Sequence, residues 1–232
     1  MRSAALVLFA IAAGAAGAFA ATMPAVRMKV ADAADASPVA GAFVLFQASA
    51  REGTFTGHGG RGALLFAAEA VSAPDGEFRI PAQEFNAMPF FLNTNYENPR
   101  MVVFKPGYDV LVLYNERTLV PELQDMTRWE RNETTVKLPR GAGDRETNHA
   151  VHWAAMYAGF AIPDCAWTKI PRFLVAVDRA VDEWNRRRTS VQDRELSFRQ
   201  EMSPLQLLLR NEAWATQGGC ASPKAFFAPY LH

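Results

Sequence analysis

Two histidines three residues apart are the side chains of this sequence best suited to metal chemistry. His149 and His152 would share one face of a helix, which is the spacing that two metal ligands need. Three nearby carboxylates offer an oxygen ligand: Asp144, Glu146 and Asp164. No H-E-x-x-H motif or cysteine-rich ligand set accompanies the pair. We therefore interpret His149 and His152 as histidines of a helix surface or helix start, with a metal-assisted hydrolase as the alternative.

A glycine-rich segment, residues 57–62, contains His58 and Arg61 and matches the dinucleotide fingerprint G-x-G-x-x-G. That fingerprint requires a strand directly before it and a crossover helix after it. Here the preceding apolar run ends several residues earlier, and the following segment leads into the turn at Asp75 and Gly76. We interpret residues 51–62 as a flexible loop, in which His58 and Arg61 are candidate binding residues.

Aromatic side chains in predicted loops are the second group of candidate binding residues. Phe90, Phe91 and Tyr96 fall in residues 82–98, which Pro89 interrupts and Pro99 follows, and Trp129 lies in a mixed, charged stretch. Loop aromatics can stack on sugar or peptide ligands, and they can equally anchor the loops to the core. The sequence contains no G-x-S-x-G motif and no serine or cysteine beside an evident base, so we predict no catalytic residue and no cofactor.

Residues 1–20 have the pattern of a cleavable secretory signal. Residues 3–22 carry no charge, Arg2 precedes them, and residues 18–20 form a small-x-small cleavage site. Their alanine and glycine content makes them weakly apolar for a membrane span. We therefore predict a soluble periplasmic or secreted protein that has no transmembrane anchor after cleavage.

The composition gives no reason to expect a nucleic acid or an anionic membrane as partner. The chain has 24 basic and 24 acidic residues, and removal of residues 1–20 takes away Arg2 alone among them, which leaves 23 against 24. Half of the residues are apolar, enough for a substantial core in one domain or two small ones.

The two cysteines of the chain, Cys165 and Cys220, are predicted to form a disulfide. An even cysteine count in an exported protein favours a bridge, although two reduced, buried thiols remain the alternative. A bridge between them would close a loop of about 55 residues and stabilise the fold by roughly 4 kcal/mol in the chain-entropy model.

Apolar patterns predict a sheet domain over residues 21–140 and a helical region over residues 141–232. Residues 77–80 alternate as a half-buried strand, whereas residues 42–46 and 110–113 are apolar on both faces and need cover on both sides. Helical periodicity begins beyond Arg140, and one apolar stripe has five members: Phe173, Val177, Ala180, Val181 and Trp184. Further helices are predicted around residues 146–160 and 203–217. We expect this helical region to pack across the sheet.

Three segments in this order resemble the carboxypeptidase regulatory-like domain: PVAGAFV (residues 38–44), DGEFRI (75–80) and KPGY (105–108). The resemblance covers roughly residues 24–139 and implies a seven-stranded antiparallel, prealbumin-like (transthyretin-like) β-sandwich, hence an α+β protein overall. It also implies a non-catalytic accessory or binding module. Hydrolases of the ureide pathway that are similar to transthyretin end in Tyr-Arg-Gly-Ser, and residues 228–232 (APYLH) do not match that ending.

The sequence thus predicts an exported binding or accessory module that recognises a protein or glycan partner in the cell envelope. The alternatives are the metal-assisted hydrolase that uses His149 and His152, and a structural subunit that works only inside an envelope complex.

Overall fold

The computed structural model describes residues 19–51, 62–87, 95–115, 122–141, 143–160, 162–188, 202–216 and 219–231. Nine strands lie in these residues: β1 (Phe19–Met23), β2 (Val26–Asp32), β3 (Phe43–Arg51), β4 (Gly62–Val71), β5 (Glu77–Ile80), β6 (Gln83–Ala87), β7 (Asn95–Phe104), β8 (Leu111–Tyr114) and β9 (Thr135–Leu138). They form a two-stranded sheet (β1-β6), a three-stranded sheet (β5-β2-β9) and a four-stranded sheet (β4-β3-β7-β8).

In the same described residues, five α-helices follow the sheets: α1 (Asp144–Gly159), α2 (Pro171–Arg188), α3 (Pro204–Arg210), α4 (Glu212–Thr216) and α5 (Pro223–Phe227). Short 3-10 helices lie at Leu123–Thr127, Pro163–Lys169 and Ala228–Tyr230. The protein is therefore α+β. Among the described helices, none combines the length and the apolar character that crossing a bilayer requires.

The four-stranded sheet is the middle layer of the molecule, and its two faces belong to different cores. One face packs against the three-stranded sheet, with Val44, Phe46 and Val103 among its buried side chains. The opposite face packs under the helices, through Leu45, Val102 and other residues. Cover on both faces is what a strand as apolar as β3 requires, so the prediction that the helical region packs across the sheet is confirmed.

The strand pattern differs from the prediction in three respects. The described residues hold nine strands rather than seven, and β2 and β9 run parallel, with Lys29 opposite Thr135. Residues 82–98 are not one long loop, because β6 occupies Gln83–Ala87 and β7 begins at Asn95. The strand β6 pairs with β1, whose first two residues belong to the predicted signal peptide and whose Met23 is buried.

The turn at Asp75 and Gly76 fixes how β5 approaches β2. Gly76 has φ of +77°, and a Cβ atom there would collide with the carbonyl oxygen of Val30. The Gly76 carbonyl accepts a hydrogen bond from the Val30 amide at 2.9 Å. This position requires glycine because the backbone of the neighbouring strand comes so close.

Local sequence signals explain the helices. Three members of the predicted α2 stripe, Phe173, Val177 and Val181, are buried in the core under the helices. Ala180 packs half-buried against that core, and Trp184 is half-buried. The helix α3 begins at Pro204 with a capping box, in which the Ser203 hydroxyl accepts from the Gln206 amide at 3.0 Å. It ends at Arg210, earlier than predicted, because α4 is a separate helix.

A buried carboxylate joins the sheets to the start of the helical region. Asp32 at the end of β2 is fully buried, and its oxygens accept from the Ala34 amide at 2.8 Å and the Tyr108 hydroxyl at 3.0 Å. The same carboxylate forms an ion pair with Arg140, directly after β9. The hydrogen bond from Arg140 lowers the pKa of Asp32, and the Ala34 amide adds to that effect.

We expect Asp32→Asn to destabilise the protein at neutral pH and to matter less in acid. The folded pKa of Asp32 lies below its ordinary value of 3.8. Its stabilisation is therefore fully present above that value and is lost as the pH falls through the depressed folded pKa. Urea unfolding at a series of pH values measures the difference. Asp35→Asn, which changes an exposed partner of the same Arg140, should cost less, and a pH-independent difference for Asp32→Asn would contradict an ionic role.

Candidate functional site

A groove of about 380 Å³ opens on the helical side of the molecule, between α1 on one side and α3 and α4 on the other. Its described lining is largely apolar: His152, Ala155, Met156, Gly159, Ile162, Met202, Pro204, Leu207 and Trp214. The volume lies in the range of ligand-binding clefts, which are typically lined by apolar side chains with few polar groups. Among the described lining residues, His152 is the one titratable side chain.

The groove exists because two helices present matched faces. The α1 positions 152, 155, 156 and 159 recur at i, i+3, i+4 and i+7, which is one stripe of a helix. At Gly159 the stripe has no side chain, and a Cβ atom built there meets nothing within 4 Å. The missing side chain therefore leaves space at the C-terminal end of the α1 wall.

The opposite wall is held by polar contacts to α2. The Ser203 hydroxyl donates to the Asp178 carboxylate, and the Gln206 side-chain amide donates to Asp182 at 2.8 Å. Burial raises the pKa of Asp178, and the hydrogen bond from Ser203 opposes that rise. These contacts hold α3 against α2, and the four residues that make them do not line the groove.

Three large apolar side chains of the groove stay exposed to solvent. Trp214 is 52% exposed, Met202 41% and Leu207 39%. Single exposed apolar residues are common on proteins, but a group of them around a concave surface is typical of a binding site. Trp214 on α4 offers the largest apolar surface of the three, together with an indole N–H for a hydrogen bond.

The two histidines considered as candidate metal ligands lie on the exposed side of α1, and His152 also lines the groove. The indole N–H of Trp153 donates to Nε2 of His149 at 2.7 Å, which occupies that ligand atom. Asp164 is exposed before α2, and the side chains of Asp144 and Glu146 fall outside the described part of the structure. No group of three or more histidine, cysteine or acidic residues in the described ranges is placed to hold a metal ion.

Most of the predicted loop residues lie outside the described residues: His58, Arg61, Phe90 and Phe91. The strand ends that flank their segments are adjacent, because Arg51 at the end of β3 pairs with Gly62 on one side and Asn95 on the other. Both segments therefore leave the four-stranded sheet at the same end. A role for these four residues in binding stays a prediction.

Two of the predicted loop aromatics are anchored in the core. Tyr96 lies on β7 rather than in a loop, is half-buried against the core between the sheets, and has its pKa raised by burial. Trp129 is buried, with its ring centroid 5.0 Å from that of Phe46. For Trp129, the anchoring alternative is therefore the correct interpretation.

The disulfide prediction is confirmed. Cys165 and Cys220 are bonded, with their Cα atoms 5.4 Å apart. The bridge does not tie the two main helices to each other. It joins the Pro163–Lys169 segment before α2 to the chain before α5.

The sequence matches no family model and no curated protein. The resemblance to the carboxypeptidase regulatory-like domain therefore rests on its three segments alone, and the groove is interpreted from its own geometry.

Apart from His152, the groove residues were not among the sequence-based candidates. Leu207 falls outside the apolar stripe of Leu205, Leu208 and Leu209, and Trp214 stands among polar neighbours. The sequence signal that could have identified Leu207 is its place outside the apolar stripe of its own helix. Their position in a groove becomes evident only in the folded structure, where α1 lies opposite them.

Proposed function

We propose that this protein is an exported, non-catalytic binding module that recognises a protein partner through the groove between α1, α3 and α4. The observation that carries the proposal is the exposed Trp214 beside an apolar cleft of about 380 Å³. Tryptophan is enriched among the residues that dominate binding energy at protein interfaces. The surface has the composition of a recognition site.

The groove suits an amphipathic helix of the partner. The α1 wall runs from His152 to Gly159, which is about 10 Å of helix or two turns. Partner helices that bind in grooves insert apolar side chains at i, i+3 or i+4, and i+7. Two turns provide room for two or three such side chains, and the gap at Gly159 accepts a large one.

We also propose that the three-stranded and four-stranded sheets correspond to the prealbumin-like sandwich of the carboxypeptidase regulatory-like domain, and that the protein works in the periplasm or outside the cell. The face-to-face packing of the two sheets supports the first proposal. The disulfide and the pattern of residues 1–20 support the second.

The experiment compares the purified protein with Trp214→Ala. The wild type is used to capture a partner from an envelope fraction, and the dissociation constant is then measured with both proteins purified. We expect Trp214→Ala to weaken binding at least ~30-fold, equivalent to about 2 kcal/mol at an interface hot spot. Gly159→Leu should weaken binding as well, because the leucine side chain would fill part of the cleft. Its Cβ atom would have no other atom within 4 Å.

The matched control is Leu231→Ala, which shortens a side chain that is 45% exposed and does not line the groove. It should change the dissociation constant less than threefold. Equal affinities for all four proteins would place recognition elsewhere. A failure of the purified protein to bind any envelope protein saturably would reject the proposed function.

A further inference from the structure

The turn before β9 carries the acceptor sequence for N-linked glycosylation. Residues 130–134 read ERNET, in which Asn132, Glu133 and Thr134 match N-x-[ST] with no proline at the middle position. In exported proteins this pattern marks asparagines whose side-chain amide can carry an oligosaccharide. The structure places all three residues at the surface, between the 3-10 helix at Leu123–Thr127 and β9. A transferring enzyme can therefore reach these side chains.

The hydrogen bonds of Asn132 leave its amide nitrogen available. Its side chain faces the backbone N–H of Arg27 at 2.8 Å, and a backbone N–H only donates, so the facing atom is the acceptor Oδ1. The Nδ2 atom occupies the other branch of the planar amide and donates to no residue of the described ranges. Because Nδ2 is the atom to which a glycan is attached, attachment would keep the bond from Arg27.

The turn is held to the rest of the molecule by its backbone. The amide of Glu133 donates to the Arg27 carbonyl at 2.7 Å, and the amide of Asn132 donates at 3.4 Å to the carbonyl of Trp129, whose side chain is buried. Residues 130–135 are themselves all exposed. A bulky group on Asn132 would therefore displace no part of the core.

A polar depression adjoins the acceptor sequence and offers contacts to the first sugars of a glycan. Its volume is about 410 Å³, and all but one of its described lining residues are polar: Arg27, Lys29, Glu77, Glu133, Thr134 and Thr135. Sugar hydroxyl groups both donate and accept hydrogen bonds, so they can pair with these carboxylates, hydroxyls and cations. This lining contrasts with the apolar lining of the groove.

Asn132 and the groove lie on opposite sides of the four-stranded sheet. Asn132 is bonded to Arg27 on β2, a strand of the three-stranded sheet, which covers one face of the four-stranded sheet. The helices that form the groove cover the other face. An oligosaccharide on Asn132 would therefore leave the groove open.

We propose that Asn132 is N-glycosylated, an inference that rests on the proposed export of the protein and not on the groove. The donor is an oligosaccharide joined through a diphosphate to a membrane lipid, and an oligosaccharyl transferase catalyses the transfer. Nδ2 of Asn132 forms a bond to the anomeric carbon of the first sugar. The bond from that carbon to the diphosphate oxygen breaks, and the lipid diphosphate leaves with the electron pair. One Nδ2 proton passes to a base of the transferase, so the step needs no oxidant or reductant.

Mass spectrometry of the protein purified from the envelope fraction of cells that naturally produce it tests the proposal. We expect the intact mass to exceed that of the polypeptide by one oligosaccharide, and fragmentation to place the added mass on Asn132. The N-terminal residue of the same sample reports export separately, because cleavage removes residues 1–20. Unmodified Asn132 in a cleaved chain would overturn the glycosylation and leave the export intact. Unmodified Asn132 in an uncleaved chain would contradict both.

Substitutions at two neighbouring threonines test whether the acceptor sequence is what the transferase recognises. Thr134→Ser keeps N-x-[ST] and the hydroxyl that donates to the Arg131 carbonyl at 2.6 Å, whereas Thr134→Ala removes both. We expect Thr134→Ser to carry the added mass and Thr134→Ala to lose it. Thr135→Ala, at an exposed position just outside the acceptor sequence, is the matched control and should keep the added mass.

Thermal melting checks the fold of each variant, and if Thr134→Ala fails to fold, the fragmentation of the wild type decides. Retention of the added mass by a folded Thr134→Ala protein, or its loss from both Thr134→Ser and Thr135→Ala, would overturn the proposal.

Discussion

Replacing Cys165 and Cys220 together by alanine should lower the free energy of unfolding by roughly 4 kcal/mol. The bond spans 55 residues, and removing it frees that length of chain in the unfolded state. Urea denaturation of the double variant against the oxidised wild type measures the loss. The wild type treated with a reductant is the matched control, and it should unfold at the same urea concentration as the variant.

The position of the bridge explains why its loss should destabilise the fold. Cys165 lies in the Pro163–Lys169 segment, where Asp164 and Cys165 both have positive φ, a conformation that side chains with a Cβ rarely adopt. The bond anchors this segment to the chain entering α5, whose Phe227 is buried. A loss below about 1 kcal/mol would mean that packing alone fixes the end of the helical region.

Trp167→Ala should cost about 3–5 kcal/mol, the range for removing a large aromatic side chain from a packed core. Trp167 is 1% exposed, and its ring centroid lies 5.2 Å from that of Phe226 and 5.7 Å from that of Phe227. The cavity would open where the Pro163–Lys169 segment packs against α5. Thermal and urea unfolding measure the change.

Trp214→Ala is the matched control because it is the same substitution at an exposed position. We expect it to change the free energy of unfolding by less than about 0.5 kcal/mol. The two tryptophans should thus separate cleanly: Trp167 supports the fold, and Trp214 supports binding. A large loss of stability in Trp214→Ala would contradict the assignment of that residue to recognition.

The sequence predicted those parts of the fold that depend on local pattern. The apolar character of β3 on both faces indicated a middle layer, and the stripe of Phe173, Val177 and Val181 indicated the helix that covers it. The even number of cysteines, in a chain with the pattern of a secretory signal, indicated the bridge. The apolar signals of β3 and α2 lie within the elements that they predict. The cysteine signal depends on the general rule that disulfides form in oxidising compartments.

Elements that depend on distant partners escaped prediction. The strand β6 has a short, polar sequence, QEFNA, and becomes a strand by pairing with β1, about sixty residues earlier. The parallel pairing of β9 with β2 joins residues more than a hundred positions apart. Long-range pairing of this kind leaves no mark on local alternation.

The candidate binding residues show the same contrast between what a local sequence pattern predicts and what depends on the folded structure. Trp129 and Trp214 are indistinguishable by residue type, yet one is buried beside Phe46 and the other lines an open groove. Burial and pairing are properties of the assembled layers.

We expect the sheet and the helices to unfold as one cooperative body, with the groove built on its helical layer. Native-state amide hydrogen exchange tests this claim by comparing the central strand β7 with α2, which packs on the same core. We predict that the slowest amides of both elements open with the same free energy, equal to that of global unfolding. Exchange of the whole of α2 through a much smaller opening, while β7 stays protected, would contradict the claim.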